Sequence, residues 1–501
     1  MDIFSGIVSG FAISLSLTNL LYCFIGVFIG TLIGVLPGIG PVGTISLLLP
    51  ATFHLNPVSA IIMLAGIYYG AMYGGSTTSI LVNIPGEAAS VVTCLDGYQM
   101  ARKGRAGAAL GVSAIGSFIA GSIGVIGLMF LAYPLARMAL RFGPPEYFAL
   151  MCLGLTILTY LARGSMLKAM SMALLGLLFS FVGIDVITGL PRFTLDMVHL
   201  MDGIGLVPIA MGIFGISEVL INLEEVVHRD IFQTKIKGLL PNREEWRRSG
   251  KPILRGTIIG FFLGILPGGG AAISSFISYG VEKKLSKHPE KFGTGMIEGV
   301  AGPESANNAA VGGAFIPLFT LGIPANVTMA VLFGALMIHG MTPGPMLMRE
   351  HPEIFWGTVT SMYMGNVLLL LLNLPLIGLW VKVLKIPYKV LFPLIILFCL
   401  IGAYSLNNTP FDIVVMLIFG LVGYLMRKLN YEGAPLLLAF VLGPMMEQAL
   451  RQSLLISQGS FTIFFTRPIS AASMSLALAL IVSYFLPFLG KKRLNIEEEV
   501  G

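Results

Sequence analysis

The chain has 501 residues, of which 55% are hydrophobic and only 11% are charged, and its formal net charge is +6. Its mean hydropathy is +0.87, whereas a soluble domain carries about 25% charged residues. This composition excludes an ordinary soluble globular domain and predicts a membrane protein with many apolar helices. The positive charge could indicate a nucleic-acid partner, but the topology that the basic residues define explains it, so no nucleic-acid partner is expected.

The chain begins with an apolar stretch that no basic segment precedes and no small-residue cleavage site follows. We therefore expect this stretch to stay in the lipid bilayer as a membrane helix rather than to be removed as a signal peptide. The domains predicted in chain order are an N-terminal membrane helix at 1–19, a first membrane repeat at 20–222, a cytoplasmic linker at 223–252, a second membrane repeat at 253–452, and a last transmembrane helix with a cytoplasmic tail at 453–501.

The two long units are copies of one another. Residues 34–40 (GVLPGIG) reappear as residues 264–270 (GILPGGG), 230 positions later. Three further pairs match, namely 83–86 with 322–325, 116–117 with 365–366, and 202–203 with 432–433. Helices broken at the same place in two halves are typical of secondary transporters. The predicted fold is an all-α polytopic integral membrane protein with two inverted-topology repeats, re-entrant hairpins and broken helices.

The glycine motifs are predicted to form the tips of the re-entrant hairpins, at residues 22–53 and 253–281. Proline removes a helical hydrogen bond, and glycine lets the backbone leave helical geometry. In lipid such a break is tolerated only against protein or a wet cavity. The glycines predicted to contact substrate at the tips are Gly38, Gly40, Gly268 and Gly270.

A second broken element in each half is rich in hydroxyl and amide groups. Free N–H groups at helix starts suit an anion, and free carbonyl groups suit a small cation. Small and hydroxylated residues also let membrane helices pack closely, which is the simpler explanation for any one of them. Because breaks, amides and hydroxyls coincide in both halves, we predict a binding site that includes Ser76, Thr77, Thr78, Asn83, Ser305, Asn307, Asn308 and Asn326.

Four acidic residues are predicted to lie within or near the membrane, where an ionisable group is costly and indicates function. These candidates for ion coupling are Glu87, Asp96, Glu298 and Glu304; each could instead cap a helix. No basic residue lies in either broken region. A bound anion would then depend on N–H dipoles and a bound cation, which favours symport with Na⁺, while H⁺ coupling stays open. A Na⁺ site near the broken helices is possible, with unknown ligands, and no other cofactor is expected.

The basic residues give the orientation, because lysine and arginine are retained on the cytoplasmic side of short loops. Residues 223–255 contain eight of them, and alternating the apolar segments outward from there puts 25 of the 31 inside. This threading places the N-terminus in the periplasm and the C-terminus in the cytoplasm. The six basic residues left outside are Arg137, Arg141, Arg192, Arg349, Arg451 and Arg467.

Three other classes of function are weaker. An ATP-driven pump would need a phosphate-binding loop, and the sequence has none. An intramembrane protease could use Ser76 as its nucleophile, but no convincing base accompanies it, so no enzyme activity is expected. A channel, or a carrier for another small anionic or organic solute, remains an alternative.

These motifs resemble the large permease subunit of the tripartite tricarboxylate transporters. The matching strings are LPGIGP at 36–41, GIYYGAMYGGS at 66–76, NIPGE at 83–87, LDGYQMA at 95–101, LPGGG at 266–270, ESANNA at 304–309 and LGIP at 321–324. Ala325 departs from the pattern, because the family often has glycine there. The resemblance implies a multi-pass secondary transporter of the bacterial inner membrane that takes up a di- or tricarboxylate of the citrate type. It also implies two partners, a periplasmic solute-binding protein and a small membrane subunit.

Overall fold

The structure is a computed structural model, which describes residues 3–36, 40–162, 165–224, 238–268, 270–384, 386 and 388–485. This part of the chain is helical apart from its loops and one antiparallel ribbon, β1 (Gly183–Ile184) with β2 (Pro191–Arg192). Seven of its helical segments are long and apolar enough to cross a membrane. The prediction of an all-α polytopic membrane protein is therefore confirmed.

The first half of the described chain contains ten α-helices. The π-helical segment Met211–Ile216 joins the last two into one span. Their bounds are α1 (Ile3–Ser14), α2 (Leu17–Val35), α3 (Gly40–Leu48), α4 (Pro57–Val82), α5 (Val91–Arg102), α6 (Ala106–Ala139), α7 (Pro144–Leu161), α8 (Met166–Ser180), α9 (Leu206–Ala210) and α10 (Ser217–Glu224).

The second half of the described chain contains twelve α-helices. Their bounds are α11 (Arg243–Ile265), α12 (Gly270–Leu285), α13 (Glu298–Leu321), α14 (Val327–Ile338), α15 (Leu347–Glu350), α16 (Pro352–Asn373), α17 (Ile377–Val383), α18 (Tyr388–Asn407), α19 (Pro410–Lys428), α20 (Gly433–Ile456), α21 (Ile463–Thr466) and α22 (Pro468–Phe485).

The helix α11 crosses the predicted boundary between linker and second repeat. It begins after Asn242, whose side chain accepts a hydrogen bond from the Glu245 amide while Glu245 accepts one from the Asn242 amide. This capping box starts the helix ten residues before position 253, and the helix continues through Pro252 to Ile265. Residues 225–237 of the linker lie outside the described part of the chain.

Close packing at glycine residues holds α2 against α4 in the first half and α11 against α13 in the second half. A Cβ atom on any of three glycines of α2 would lie within 2.2–2.5 Å of a carbonyl oxygen of α4, and the equivalent distances from α11 to α13 are 2.1–2.3 Å. Only residues without a side chain allow backbones this near. The pairs are Gly26 with Met63, Gly30 with Ile67 and Gly34 with Ala71, and then Gly256 with Gly302, Gly260 with Ala306 and Gly264 with Ala310.

The chain breaks that follow α4 and α13 also have the same backbone geometry. The helix α4 ends at Asn83 with φ 59°, and α13 ends at Gly322 with φ 68°, 239 positions later. Four residues on, Glu87 and Asn326 are both extended, with φ −154° and −153°, and each side chain accepts a backbone N–H of the helical turn that follows. Contacts and dihedral angles therefore agree between the halves, at the spacings found in the sequence.

Ion pairs connect residues that the predicted topology places on the same side of the membrane. Arg192 and Arg451, both predicted outside, share Asp185 and Glu447. Hydrogen bonds from the Thr188 hydroxyl, at 2.8 Å, and from Arg451, at 2.9 Å, hold the pKa of Asp185 well below its usual value. This grouping agrees with the predicted threading, while the absolute orientation stays a prediction.

Candidate functional site

The two broken helices of greatest burial form the centre of the protein. In α4 every residue from Val58 to Val82 is buried, and in α13 every residue from Gly299 to Thr320. Hydroxyl and amide side chains in such a place are shielded from bulk water, so they must bond with one another, with backbone, with a bound water or with a ligand. The polar residues predicted from the sequence lie on these two helices and at their ends.

Two equivalent hydrogen bonds join the break of one half to the buried helix of the other. Asn307 on α13 donates through Nδ2 to Glu87 Oε1 at 3.3 Å. Asn326 donates through Nδ2 to the Tyr68 hydroxyl of α4 at 3.1 Å. The repeat spacing of 239 relates Tyr68 to Asn307 and Glu87 to Asn326. The two contacts therefore form a pseudo-symmetric junction, in which the second half supplies both amide donors and the first half supplies both acceptors, the Glu87 carboxylate and the Tyr68 hydroxyl.

Glu304 is a buried carboxylate beside this junction, with 1% of its surface exposed. The hydroxyls of Ser76 and Thr93 donate to its two oxygens, and Ser113 also hydrogen-bonds to it. Glu87 lies near enough to interact electrostatically with Glu304. Neither carboxylate has a lysine or arginine partner in the described part of the chain. A buried carboxylate and a half-buried one, neither with a basic partner, are costly together unless a proton or a cation neutralises them.

Several polar atoms around the junction have no hydrogen-bond partner within the described protein. They are Tyr73 Oη, Ser305 Oγ and Asn307 Oδ1. An unsatisfied buried polar atom costs about 1–3 kcal/mol, so a ligand, an ion or water that bonds to these atoms would stabilise the protein. Asn308 is better satisfied, because its Nδ2 donates to Ser117 Oγ at 2.7 Å and to the Glu304 carbonyl at 3.1 Å.

The glycine motifs lie beside the polar residues and shape the backbone. Gly40 and Gly270, 230 positions apart, have φ of 64° and 52°, and no heavy atom lies within 4 Å of a Cβ built on either. Gly268, with φ 80°, donates its amide to the Ala325 carbonyl at 2.8 Å, so the two breaks of the second half touch. Thr78 donates to the Val35 carbonyl at 2.8 Å, which links the breaks of the first half. Gly38 lies outside the described residues.

The remaining predicted residues make no described hydrogen bond across the junction. Thr77 is buried on α4, while Asn83 is exposed and serves the break through its left-handed backbone. Asp96 accepts the amides of Gly293, Gly295 and Met296 and the Tyr279 hydroxyl, at 2.7–3.1 Å. Glu298 pairs with Arg248 at 2.7 Å. Both acids thus fix loop and helix ends, and their part in ion coupling stays a prediction.

The sequence did not point to Tyr68, Thr93 or Ser113 as site residues. Tyr68 could have been found, because it occupies the position that Asn307 holds in the second repeat. Thr93 and Ser113 carry no such signal, since only the packing of α5 and α6 on α13 brings them to Glu304. Among the described residues, no group of three or more His, Cys, Asp or Glu side chains could hold a metal ion. A cation here would need hydroxyl, amide or backbone oxygen ligands as well as carboxylate, as in other broken-helix sites.

Comparisons with known proteins agree with this architecture. The family model described as "Tripartite tricarboxylate transporter TctA family" matches residues 20–438. A protein of Agrobacterium vitis described as "Uncharacterized 52.8 kDa protein in TAR-I ttuC' 3'region" is 53% identical over 493 residues, covering 98% of each chain. A second protein of that organism, "Uncharacterized protein in TAR-II ttuC' 3'region", is 54% identical over 234 residues, 47% of this chain and 97% of its own length. No solved structure matches the chain.

Proposed function

The chain belongs to the tripartite tricarboxylate transporter TctA family, and we propose that it is the permease that takes up a di- or tricarboxylate of the citrate type across a bacterial inner membrane. As a family member it is a component of a transporter with other subunits. The proposed partners are a periplasmic solute-binding protein, which delivers the carboxylate, and a small membrane subunit. A gradient of Na⁺ or H⁺ would supply the energy.

The junction between the two halves is the observation that carries the proposal. Each half supplies one break and one buried polar helix, and the Asn307–Glu87 and Asn326–Tyr68 hydrogen bonds cross between them. A site that both halves build changes its shape when one half moves against the other, which is how inverted-repeat carriers alternate access. The unpartnered Ser305 hydroxyl and Asn307 carbonyl oxygen are available for the cargo or its ion.

Carboxylate recognition at this junction would rely on neutral donors. Amide, hydroxyl and backbone N–H groups at a helix start bind anions without a basic side chain. Such donors recognise the carboxylate group and do not distinguish the rest of the molecule. We therefore propose the class of substrate, a di- or tricarboxylate, and no individual compound.

Ion coupling is assigned to Glu304 and Glu87. Glu304 is buried and Glu87 is half-buried, and neither has a basic partner in the described chain, so occupation by an ion changes the energy of the site most strongly there. Asp96 and Glu298 rank behind them because backbone amides and Arg248 already neutralise these carboxylates. Either Na⁺ or H⁺ satisfies this arrangement.

The test is uptake into proteoliposomes that contain this chain, its small partner and a binding protein loaded with candidate di- and tricarboxylates. Na⁺ and pH gradients are imposed separately. We expect uphill accumulation of at least one carboxylate under one of the two gradients. Accumulation that persists without Na⁺ but collapses with the proton gradient would exclude the Na⁺ version. Failure of every carboxylate under both gradients would overturn the proposed function.

The alternative functions make other predictions. A channel would equilibrate its solute and never accumulate it, and a carrier for another anion would fail with every carboxylate. For the remote protease alternative, Ser76 would need a base. Its single hydroxyl proton is shared between Glu304 and the Met72 carbonyl, 3.2 Å away, and no histidine hydrogen-bonds to it in the described chain, so the base would have to be Glu304 itself. A Ser76→Ala variant that kept uptake and lost cleavage of a membrane substrate would favour the protease.

A further inference from the structure

A polar cavity lies at the open end of the hairpin that α11 and α12 form. Its volume is about 800 Å³. Three acidic side chains and six lysine or arginine side chains line it, so the basic residues exceed the acidic ones by three. The six basic residues are Arg247, Arg248, Lys251, Arg255, Lys287 and Lys291.

Two of the arginines are neutralised within the wall of the cavity. Arg255 donates to the buried carboxylate of Glu282, at 2.8 Å from Nε, and Arg248 donates to Glu298 at 2.7 and 2.8 Å. These pairs fix α11 against α12 and α13. The remaining four basic residues are exposed and make no ion pair within the described chain, so they leave a positive surface around the cavity; they are Arg247, Lys251, Lys287 and Lys291.

An apolar ladder continues from these basic residues along α11. Leu254, Ile258 and Phe262 are exposed to 55%, 51% and 58%. Residues spaced by three or four share one helix face, so Lys251 stands directly above this ladder. Leu285 of α12, which lines the cavity, is 60% exposed. A soluble anion would use only the charged part of this surface, whereas a phospholipid would use the charged part and the ladder together.

We propose that this cavity binds the phosphate headgroup of an anionic phospholipid, with an acyl chain along Leu254, Ile258 and Phe262. Basic pockets beside membrane helices on the cytoplasmic side favour anionic headgroups, by about 1 kcal/mol for each lysine or arginine. The threading puts these basic residues on that side. The lipid would connect α11, α12 and the start of α13, and so brace the hairpin whose tip is Gly268 and Gly270. This site does not depend on the identity of the transported solute.

The test is native mass spectrometry of the purified full chain with phosphatidylglycerol and, separately, phosphatidylcholine. We expect phosphatidylglycerol to be retained preferentially. In a K251Q/K287Q double variant its affinity should fall roughly thirtyfold, since two basic contacts are lost. A K284Q variant is the control, because Lys284 is exposed in the last turn of α12, near Lys287 in the chain, and does not line the cavity. Equal retention of both lipids, or equal effects of the double variant and the control, would overturn the proposal.

A second set of measurements separates a lipid from a soluble anion. Inorganic phosphate and citrate are added in excess to the phosphatidylglycerol complex, and an I258N variant interrupts the ladder. The proposal expects that neither anion displaces the lipid and that I258N weakens retention of phosphatidylglycerol. Displacement by phosphate or citrate, together with unchanged retention by I258N, would show a site for soluble anions and refute the lipid.

Discussion

The Glu304→Gln variant tests ion coupling at the junction most sharply. It replaces a buried carboxylate by an amide of the same size, which still accepts a hydrogen bond from Ser76 or Thr93 and no longer carries charge. A cation about 4 Å from a carboxylate gains about 4 kcal/mol at an effective dielectric constant of about 20. Losing that attraction lowers the affinity for the coupling ion by about three orders of magnitude.

The assay is the initial rate of carboxylate uptake into proteoliposomes under an imposed Na⁺ or pH gradient. We expect the Glu304→Gln rate to fall to background at ion concentrations that saturate the wild type. The unfolding temperature in detergent should not fall, because the substitution removes a costly buried charge. Glu290→Gln is the control, because its side chain is 63% exposed on a loop. A Glu304→Gln variant that accumulates substrate with the wild-type ion dependence would refute the assignment of coupling to this carboxylate.

Three further variants test the packing, a surface charge cluster and the junction. Gly260→Ala puts a Cβ 2.1 Å from a carbonyl oxygen, so we expect a loss of about 1–3 kcal/mol in the free energy of unfolding; Gly280→Ala, which meets no heavy atom within 4 Å, should lose nothing. Asp185→Asn should lower the unfolding temperature at neutral pH. Because the pKa of Asp185 is lowered in the folded protein, its ionised carboxylate stabilises the fold at pH values above its ordinary pKa of about 3.9. This stabilisation should fade below about pH 4 as the carboxylate is protonated. An equal difference between Asp185→Asn and wild type at pH 7 and at acid pH would contradict the ion-pair assignment with Arg451. Tyr68→Phe removes the hydroxyl from one hydrogen bond across the junction, worth about 0.5–1.5 kcal/mol, and should raise the half-saturating carboxylate concentration roughly two- to tenfold; unchanged uptake kinetics would count against that bond.

The spacings found in the sequence correspond to backbone features that depend on local residues. The spacings of 230 and 239 mark the glycine ladders of α2 and α11 and the left-handed ends of α4 and α13, since only glycine or asparagine suits these positions. The same spacing relates Glu87 to Asn326, although the residue types differ. Backbone geometry is thus retained where the side-chain chemistry has diverged.

The partners of the polar residues could not be predicted, because they come from other elements. Glu304 is visible as an acid in an apolar helix, but its contacts with Thr93 and Ser113 depend on how α5 and α6 pack on α13. Likewise the sequence indicates Asp96 as a coupling residue, whereas in the structure the loop at 293–296 covers it and donates three backbone amides to its carboxylate. Side-chain chemistry signals a cost of burial; only tertiary structure shows whether protein groups or a ligand offset it.

The most direct measurement of the proposed site compares Asn307→Ala with Asn373→Ala. Both asparagines are buried, donate one hydrogen bond and leave an unpartnered carbonyl oxygen, but Asn373 donates to the Leu369 carbonyl within α16, away from the breaks. We expect Asn307→Ala to raise the half-saturating carboxylate concentration for uptake at least about tenfold, or to abolish uptake, as loss of an amide bonded to a charged group implies. Asn373→Ala should leave that concentration unchanged. Equal concentrations in the two variants would contradict a binding site at the junction of the two halves.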